Sequence, residues 1–188
     1  LQEWPKANRA FAAASKRNLL TRSEYDDALR LRDAVNRDPV VRQMQSGVPS
    51  IEQSAYAVDA DTGELVRCRP DLYNHDMRLM VDLKCTTDAA PHQWRKRVRD
   101  YGYHCQEAFY TDVWEAAGGG AVDAFVFLTV ESSPPFAHAI YELSPRAVEK
   151  GRAQMRAALR TYARCRAADA WPGYQSGVQE LDLDERDY

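Results

Sequence analysis

The sequence RCRPD at residues 67–71 and the sequence VDLK at residues 81–84 decide the fold of this chain. Both lie in segments with the pattern of β-strands, separated by a short turn, which predicts a hairpin. Asp82 and Lys84 are two positions apart on a strand, so their side chains point to the same face. Whether Asp71, on the neighbouring strand, lies on the same face depends on the cross-strand register. If the two residue numbers of each cross-strand pair add to an odd total, Asp71 shares the face of Asp82, and an even total places it on the other face.

These three charged side chains indicate a metal-dependent chemistry. Two carboxylates and an ammonium group on one face of a core-like sheet require a reason, because unpaired charges are costly there. Two carboxylates with open positions for water and phosphate suit Mg²⁺, and a lysine beside them would be a point charge next to a metal-bound water. The structural alternative is a surface hairpin with a cross-strand ion pair.

The rest of the chain alternates between helical and strand periods. Ser23, Asp38 and Ser144 are predicted to cap helix N-termini, because Ser and Asp side chains accept hydrogen bonds from the first backbone N–H groups of a helix. The predicted elements are an Ala-rich helical stretch at 11–14, helices at 24–35 and 39–44, strands at 51–58, 64–73 and 77–85, helices at 91–101 and 103–117, strands at 123–131 and 137–142, and a helix at 145–168. This order predicts an α/β fold with a central mixed β-sheet flanked by helices.

Length and composition narrow the class of protein. The length of 188 residues suits one domain. Hydrophobic residues make up 45% and charged residues 28% of the chain, a composition that excludes collagen, coiled coil and global disorder. The longest largely apolar run, at 124–130, is far shorter than a membrane span, and no signal-peptide pattern opens the chain, so no membrane partner is expected. The chain begins with Leu1 rather than Met, and we therefore expect a preceding segment.

Cysteine spacing and charge add two further expectations. The spacing of Cys68, Cys85, Cys105 and Cys165 matches no zinc framework, so reduced thiols in a cytoplasm are expected. The net charge is −3, and residues 180–188 contribute five acids and one base, a net of −4, which leaves +1 for the rest. Local basic patches can therefore still attract nucleic acid.

The PD at residues 70–71 followed by the DLK at residues 82–84 resembles the PD-(D/E)XK nuclease pattern, with Asp in place of the more usual Glu. Gln106 and Tyr110 on the next helix resemble the Q-x-x-x-Y element of the RecB-like branch. The arrangement is most similar to the nuclease domain of RecE-type exonucleases (exodeoxyribonuclease VIII), which are lambda-exonuclease-like. The similarity runs over roughly residues 20–180 and includes residues 69–71, 82–87, 103–106, 130–135 and 171–174.

The resemblance implies a PD-(D/E)XK nuclease fold and a single nuclease domain over residues 1–188, with an acidic tail at 175–188. It implies a Mg²⁺-dependent 5′-to-3′ exonuclease, with Mn²⁺ able to substitute, that degrades linear double-stranded DNA to 5′-mononucleotides. Such enzymes act at double-stranded DNA ends, form homo-oligomeric rings, and leave 3′ single strands for recombination by a RecT-type annealing protein. A cytoplasmic protein encoded by a bacterium or phage is expected.

The resemblance also implies roles for individual residues. The metal ligands implied are Asp71, Asp82, the Leu83 backbone carbonyl and Glu52, the last either as a ligand or next to one. The catalytic residues implied are Asp71, Asp82, Lys84, which would orient or activate water, and Gln106. The residues expected to contact DNA are Tyr110, Arg69, Thr86, Arg95, Arg99 and His104. The family also has a histidine on an early helix, and none of the four histidines in this sequence holds that position.

Two basic stretches fall outside these motifs. Residues 95–99 lie on the helix after the catalytic strand, where they would either contact phosphates or form a solvated face. Basic residues recur every four positions on the last helix, which favours a solvated or subunit-facing stripe made of Arg152, Arg156, Arg160 and Arg164. If the acidic tail pairs with this stripe on a neighbouring subunit, deleting the residues after 173 should change the oligomeric state.

Three other interpretations use the same residues. An endonuclease of the same superfamily would have identical chemistry but would cut closed circles. A catalytically silent DNA-binding or ring-forming module would bind DNA with a salt dependence set by phosphate contacts, and would give no metal-dependent product. A metal-free globular domain would use its acids only to pair with arginines.

Overall fold

A computed structural model describes residues 20–174 and 176–180 of the chain. Its strands are β1 Ser50–Ile51, β2 Ala55–Val58, β3 Leu65–Cys68, β4 Leu72–Asn74, β5 Leu79–Thr86, β6 Ala124–Glu131 and β7 His138–Glu142. Its helices are α1 Arg22–Val35, α2 Pro39–Met44, α3 Pro91–Asp100, α4 Tyr103–Ala116 and α5 Pro145–Ala168. The predicted helical stretch at 11–14 and most of the acidic tail lie outside the described residues.

The main sheet has the strand order β1–β4–β5–β6–β7, and β2 pairs with β3 in a separate two-stranded sheet. In the main sheet β5 and β6 run parallel, while the other neighbours run antiparallel. Helices cover both faces of this sheet. The predicted α/β fold with a central mixed sheet flanked by helices is therefore confirmed.

Side chains that precede the helices fix where the helices begin. The Thr21 hydroxyl accepts a hydrogen bond from the Glu24 N–H, and the Glu24 carboxylate accepts one of 2.6 Å from the Thr21 N–H. This reciprocal pair makes Thr21 the N-cap of α1, so the prediction of Ser23 is wrong. Asp38 and Ser144 cap α2 and α5 as predicted. Among the described residues, no helix combines the length and apolar composition that crossing a membrane requires.

The two strands predicted at 51–58 and 64–73 form one bent β-ribbon. The ribbon pairs β1 with β4 in the main sheet and β2 with β3 in the hairpin, and both ladders keep one register. The ladder breaks where Glu52 has a left-handed φ of 51° and where Pro70 has no backbone N–H to donate. The prediction of two continuous strands is therefore wrong at this bend, which moves β2 and β3 away from the sheet.

The two faces of the sheet bury alternate side chains of the same strands. Met80 and Phe127 pack in one cluster with side chains of α3, α4 and the hairpin. Leu79 and Val81 pack in a second cluster with α1 and α2. Because β5 contributes to both clusters, it is a central strand that is covered from both sides. Asp82, two residues after Met80, therefore points toward α4.

Ion pairs join α5 to α4 and to the hairpin. The pairs are Arg152 with Asp112, Arg156 with Asp59 and Asp112, Arg160 with Asp61, and Arg166 with Glu64. The side chains of Arg152 and Arg156 are only 35% and 31% exposed. The prediction of a solvated or subunit-facing stripe is therefore wrong for these two residues, because acids distant in sequence meet them within the same chain.

Candidate active site

Asp71 and Asp82 lie at the point where β4 and β5 separate. Leu72 of β4 pairs with Val81 of β5, so the register has an odd total and brings Asp71 opposite Asp82 on one face. The Asp71 carboxylate accepts a hydrogen bond of 2.7 Å from the backbone N–H of Leu83. The bent ribbon thus brings the PD motif next to the DLK motif.

Asp82 is the most enclosed charged group at this point, with a side chain that is 4% exposed. Gln106 of α4 donates a hydrogen bond from Nε2 to Oδ1 of Asp82. Lys84 Nζ lies 2.5 Å from the other oxygen, Oδ2, as an ion pair. Apart from this ion pair, Oδ2 is buried without a hydrogen-bond partner.

These side chains line a polar cleft of about 440 Å³. Strand β5 lines it through Asp82, Leu83 and Lys84. Helix α4 lines one side through Gln106 and Tyr110, and the end of the hairpin lines the other through Arg67 and Arg69. Gln106 and Tyr110 reach the same site, as their spacing of one helical turn predicts. Arginines and carboxylates on opposite sides of a cleft suit a phosphate group. The arginines can contact the phosphate directly, and the carboxylates can contact it through a bound cation.

Burial dominates the electrostatics of the cleft. It raises the pKa of the Asp82 carboxyl above its ordinary value, the Lys84 ammonium opposes this rise, and the charge of Asp71 adds to it. Burial also raises the pKa of Tyr110, and the charge of Asp82 adds to that rise. Two carboxylates so close together favour a bound cation, because it would offset both their repulsion and their loss of hydration.

The donor set fits a hard divalent cation. Besides Oδ2 of Asp82, which is buried against the Lys84 ammonium, the site has the Leu83 carbonyl, which points to the same edge as the Leu83 N–H bound by Asp71. Nowhere in residues 20–174 and 176–180 do three or more His, Cys, Asp or Glu side chains come together as a metal site. An ion here would therefore be held by the two aspartates, the carbonyl and water.

Glu52 and Thr86 were predicted to belong to the site, and the structure places both outside the cleft. The exposed Glu52 carboxylate forms an ion pair of 2.9 Å with Arg69 Nε. The buried Thr86 hydroxyl donates a hydrogen bond of 2.9 Å to the Asp88 carbonyl, which stabilises the turn before α3. Glu52 therefore orients a cleft arginine, and Thr86 orients a turn.

His104 lies between α4 and α5 rather than in the cleft. Its Nε2 lies 2.7 Å from Oε1 of Gln154, and its Nδ1 lies 3.3 Å from the Val98 carbonyl. A Cβ atom at Gly151 of α5 would come within 2.1 Å of the His104 carbonyl oxygen. The two helices are therefore in direct backbone contact, and His104 joins them.

Arg95 and Arg99 lie on the exposed side of α3, outside the cleft. The same helix buries Trp94 and leaves its basic residues outside. Arg99 Nε lies 3.1 Å from the carboxylate of the adjacent Asp100. These arginines are placed to contact only the part of a substrate that extends beyond the cleft.

Two residues of the site were missed in the sequence. Arg67 lines the cleft together with Arg69, and the two-residue alternation of strand side chains could have identified it. Tyr103 lies beneath Lys84, with its ring centroid 4.8 Å from the lysine Nζ. No local spacing rule links a strand lysine to a tyrosine on a later helix, so the sequence carries no signal for this contact.

Solved structures with a similar fold include two exonucleases. A candidate exonuclease from Eubacterium rectale matches with a TM-score of 0.66 at 16% sequence identity, over 87% of this chain and 64% of that chain. The chain thus spans less than two thirds of the length of that protein. A phage-related exonuclease from Haemophilus somnus 129PT matches with a TM-score of 0.45 at 13% identity, over 87% of this chain and 82% of that chain. The first similarity shows a common fold.

No curated protein matches the sequence. The family model described as a PDDEXK-like domain of unknown function (DUF3799) matches residues 1–182. The match spans nearly the whole chain and confirms the superfamily to which the PD and DLK motifs point. Nucleases of this superfamily generally use divalent metal ions. The chain therefore belongs to the PDDEXK-like family DUF3799 of the PD-(D/E)XK nuclease superfamily.

Proposed function

We propose that the protein is a metal-dependent exodeoxyribonuclease that degrades linear double-stranded DNA from its 5′ ends. The observation that carries this proposal is the meeting of the two motif aspartates with Lys84 and Gln106 in one polar cleft. We propose Mg²⁺ as the cofactor, with Mn²⁺ able to replace it, because the donors are hard oxygens. The RecE-like motifs support the 5′-to-3′ direction and the mononucleotide products.

Each residue of the cleft has a separate task in this reaction. Asp71, Asp82 and the Leu83 carbonyl would hold the ion, which when bound polarises the phosphate and lowers the pKa of the attacking water. Gln106 fixes the orientation of the Asp82 carboxylate through its hydrogen bond. Lys84 holds a positive charge at the place where the phosphate gains negative charge during hydrolysis.

Basic side chains around the cleft support DNA as the substrate. Arg67 and Arg69 line the cleft itself. Arg95 and Arg99 are exposed on the helix that follows β5 and suit phosphates farther along a duplex. These local charges would attract DNA even though the whole chain has a net charge of −3.

We also propose a RecE-type organisation, in which a homo-oligomeric ring surrounds DNA in the cytoplasm of a bacterium or a phage-infected cell. The 3′ single strands left by digestion would pass to a RecT-type annealing partner for recombination. Support for this part comes from the motifs at residues 69–71, 82–87 and 103–106. Analytical ultracentrifugation tests it: one discrete closed oligomer is expected, and a monomer at all concentrations would contradict it.

A Mg²⁺ time course on end-labelled linear duplex and closed circular DNA, side by side, tests the activity. We expect mononucleotides from the linear duplex, an intact circle, and faster loss of a 5′ label than of a 3′ label. Lys84→Ala, with binding measured separately, is the control for contaminating nucleases.

The other outcomes of this experiment are equally informative. Nicked or linearised circles would identify an endonuclease of the same superfamily. DNA binding with no product in either Mg²⁺ or Mn²⁺ would identify a catalytically silent binding module. Cutting by the Lys84→Ala protein at the wild-type rate would remove Lys84 from the proposed site.

A further inference from the structure

Lys84 is held from two sides. Its Nζ lies 2.5 Å from Oδ2 of Asp82 and 4.8 Å from the ring centroid of Tyr103. The lysine side chain is only 20% exposed. An ammonium group over an aromatic face is attracted by the negative face of the ring, and the attraction grows as water is excluded. Tyr103 therefore contributes to the position of the ammonium group.

The ring of Tyr103 is itself fixed by a stack of aromatic side chains. Trp94 of α3 stacks on it at 5.2 Å between centroids with an interplanar angle of 23°, and Tyr141 of β7 stacks on Trp94 at 5.8 Å and 13°. The Tyr141 hydroxyl donates a hydrogen bond of 2.6 Å to the Ala89 carbonyl. The stack thus connects the cleft to α3, to β7 and to the turn between β5 and α3.

A lysine needs such support more than most catalytic groups do. Its four-carbon stem rotates freely, and its ammonium has no planar shape that fixes a direction. The ion pair alone fixes the distance between Lys84 Nζ and the Asp82 carboxylate, but it does not fix the direction of the side chain. A bound cation would also compete with the lysine for the Asp82 oxygens. The ring face supplies a second anchor that does not compete for the Asp82 oxygens.

We propose that Tyr103 is a positioning residue for Lys84, and that its aromatic face, rather than its hydroxyl, keeps the lysine directed at the reacting phosphate. This inference rests on the proposed nuclease function for its effect on rate. Its structural part, the placement of the ammonium over the ring, does not depend on that function.

Steady-state kinetics of Tyr103→Leu and Tyr103→Phe test the effect on rate. Tyr103→Phe keeps the ring and should stay within threefold of the wild-type kcat. Tyr103→Leu should lower kcat by at least tenfold while KM for DNA changes by less than threefold. If both variants fold and retain the wild-type kcat, or if both lose it equally, the proposal is wrong. If Tyr103→Leu does not fold, Tyr103→Met supplies a flexible apolar replacement.

Nuclear magnetic resonance of the lysine side chains tests the placement without any need for activity. The chain has five lysines, Lys6, Lys16, Lys84, Lys96 and Lys150, so Lys84→Arg identifies the Lys84 signal by its loss. In the wild-type protein the ring current of Tyr103 should shift the Lys84 ε-proton signals upfield. The same shift is expected in Tyr103→Phe, and it should vanish in Tyr103→Leu. Unshifted Lys84 signals in the wild type would overturn the proposal, even if the protein cuts DNA. Conversely, shifted signals in a protein that cuts no DNA would retain the placement and remove the proposed function.

Discussion

The Asp71 carboxylate accepts a hydrogen bond of 2.7 Å from the backbone N–H of Leu83, beyond the last residue pair of the ladder between β4 and β5. The Asp71 side chain thus replaces a backbone carbonyl as the hydrogen-bond acceptor at the point where β4 and β5 diverge. The same contact holds the first motif acid against the strand that carries the second. Separation of the two strands and assembly of the site are thus one structural feature.

Neutral amides in place of the two motif acids should separate activity from stability. Asp71→Asn and Asp82→Asn should each lower kcat about 10³-fold, because a metal ion supplies several kcal/mol of charge stabilisation. Since burial raises the pKa of Asp82, its ionised form is costly in the folded state, and Asp82→Asn should leave Tm unchanged or higher. Single-turnover kinetics and calorimetry give the two readings, and a large fall in Tm for Asp82→Asn would contradict the argument.

Loss of Gln106 should raise the amount of metal that the reaction needs. Gln106 donates to Asp82, and groups that orient a ligand typically change metal affinity or activity by about 10–100-fold when mutated. Gln106→Ala should therefore shift the Mg²⁺ concentration for half-maximal activity upward by about tenfold, with partial recovery at high Mg²⁺. Gln154→Ala, on the neighbouring helix and bonded to His104 instead, is the matched control and should leave the Mg²⁺ requirement unchanged.

Arg156 should be the most important arginine of α5 for stability. It bridges Asp59 and Asp112, whose side chains are 7% and 17% exposed, and Arg156→Ala would leave both without this partner. Burial acts to raise the pKa of Asp59, yet hydrogen bonds from Thr62 and Arg156 hold it below its ordinary value. We expect a loss of about 2 kcal/mol, or a fall in Tm of about 4–8 °C.

Arg164 gives the comparison for this measurement, because it lies on the same helix and forms no ion pair among the described residues. Arg164→Ala should change the free energy of unfolding by less than about 0.5 kcal/mol. Equal effects of the two substitutions in urea denaturation would show that loss of helix propensity or charge, rather than the bridge, determines stability.

Glu107 should make the protein less stable as pH rises. Burial raises the pKa of this carboxyl from 4.5 to about 8, the charge of Glu142 adds to the rise, and Arg152 opposes it. A folded-state pKa above the unfolded value means that the group stabilises the fold fully below about pH 4.5 and loses this contribution as pH rises through 8. Over that interval the slope approaches a loss of about 1.4 kcal/mol per pH unit at most.

Glu107→Gln removes this titration and should flatten the decline. Urea denaturation of the wild type and the variant at pH 5, 7 and 9 measures the free energy of unfolding. The stability of the variant relative to the wild type should increase from each pH to the next. Parallel curves for the two proteins would show that Glu107 is ionised in the fold at neutral pH, contrary to its buried position.

Local rules were enough to predict the centre of the site. Asp82 and Lys84 share a face because strand side chains alternate, and Gln106 and Tyr110 share a face because a helix turns every 3.6 residues. Whether Asp71 would join them depended on register, and the sequence alone left both registers open. The cap at Thr21 was missed although the sequence contains its signal, a glutamate three residues later.

Contacts between distant segments could not be predicted in the same way. Arg156 and Asp59 are 97 residues apart in sequence, and the same arginine spacing fits a solvated stripe equally well. His104 lies in a motif stretch, but its partner Gln154 and the close approach at Gly151 depend on how α5 crosses α4. The bend of the ribbon depends on the same packing, because the hairpin leaves the sheet to cover these helices.

The hairpin of β2 and β3 forms part of the cleft wall but shares no ladder with β5. One wall of the cleft and the strand that carries Asp82 and Lys84 are therefore encoded by separate portions of the chain. Substitutions at Arg67 and Arg69 would reshape this wall and leave the DLK strand in place. The turn at residues 59–64 lies at the other end of the hairpin, where its acids pair with α5. Under the proposed function, exchanging the hairpin residues that line the cleft is expected to change which nucleic acids enter it, while the strand that carries Asp82 and Lys84 keeps its place.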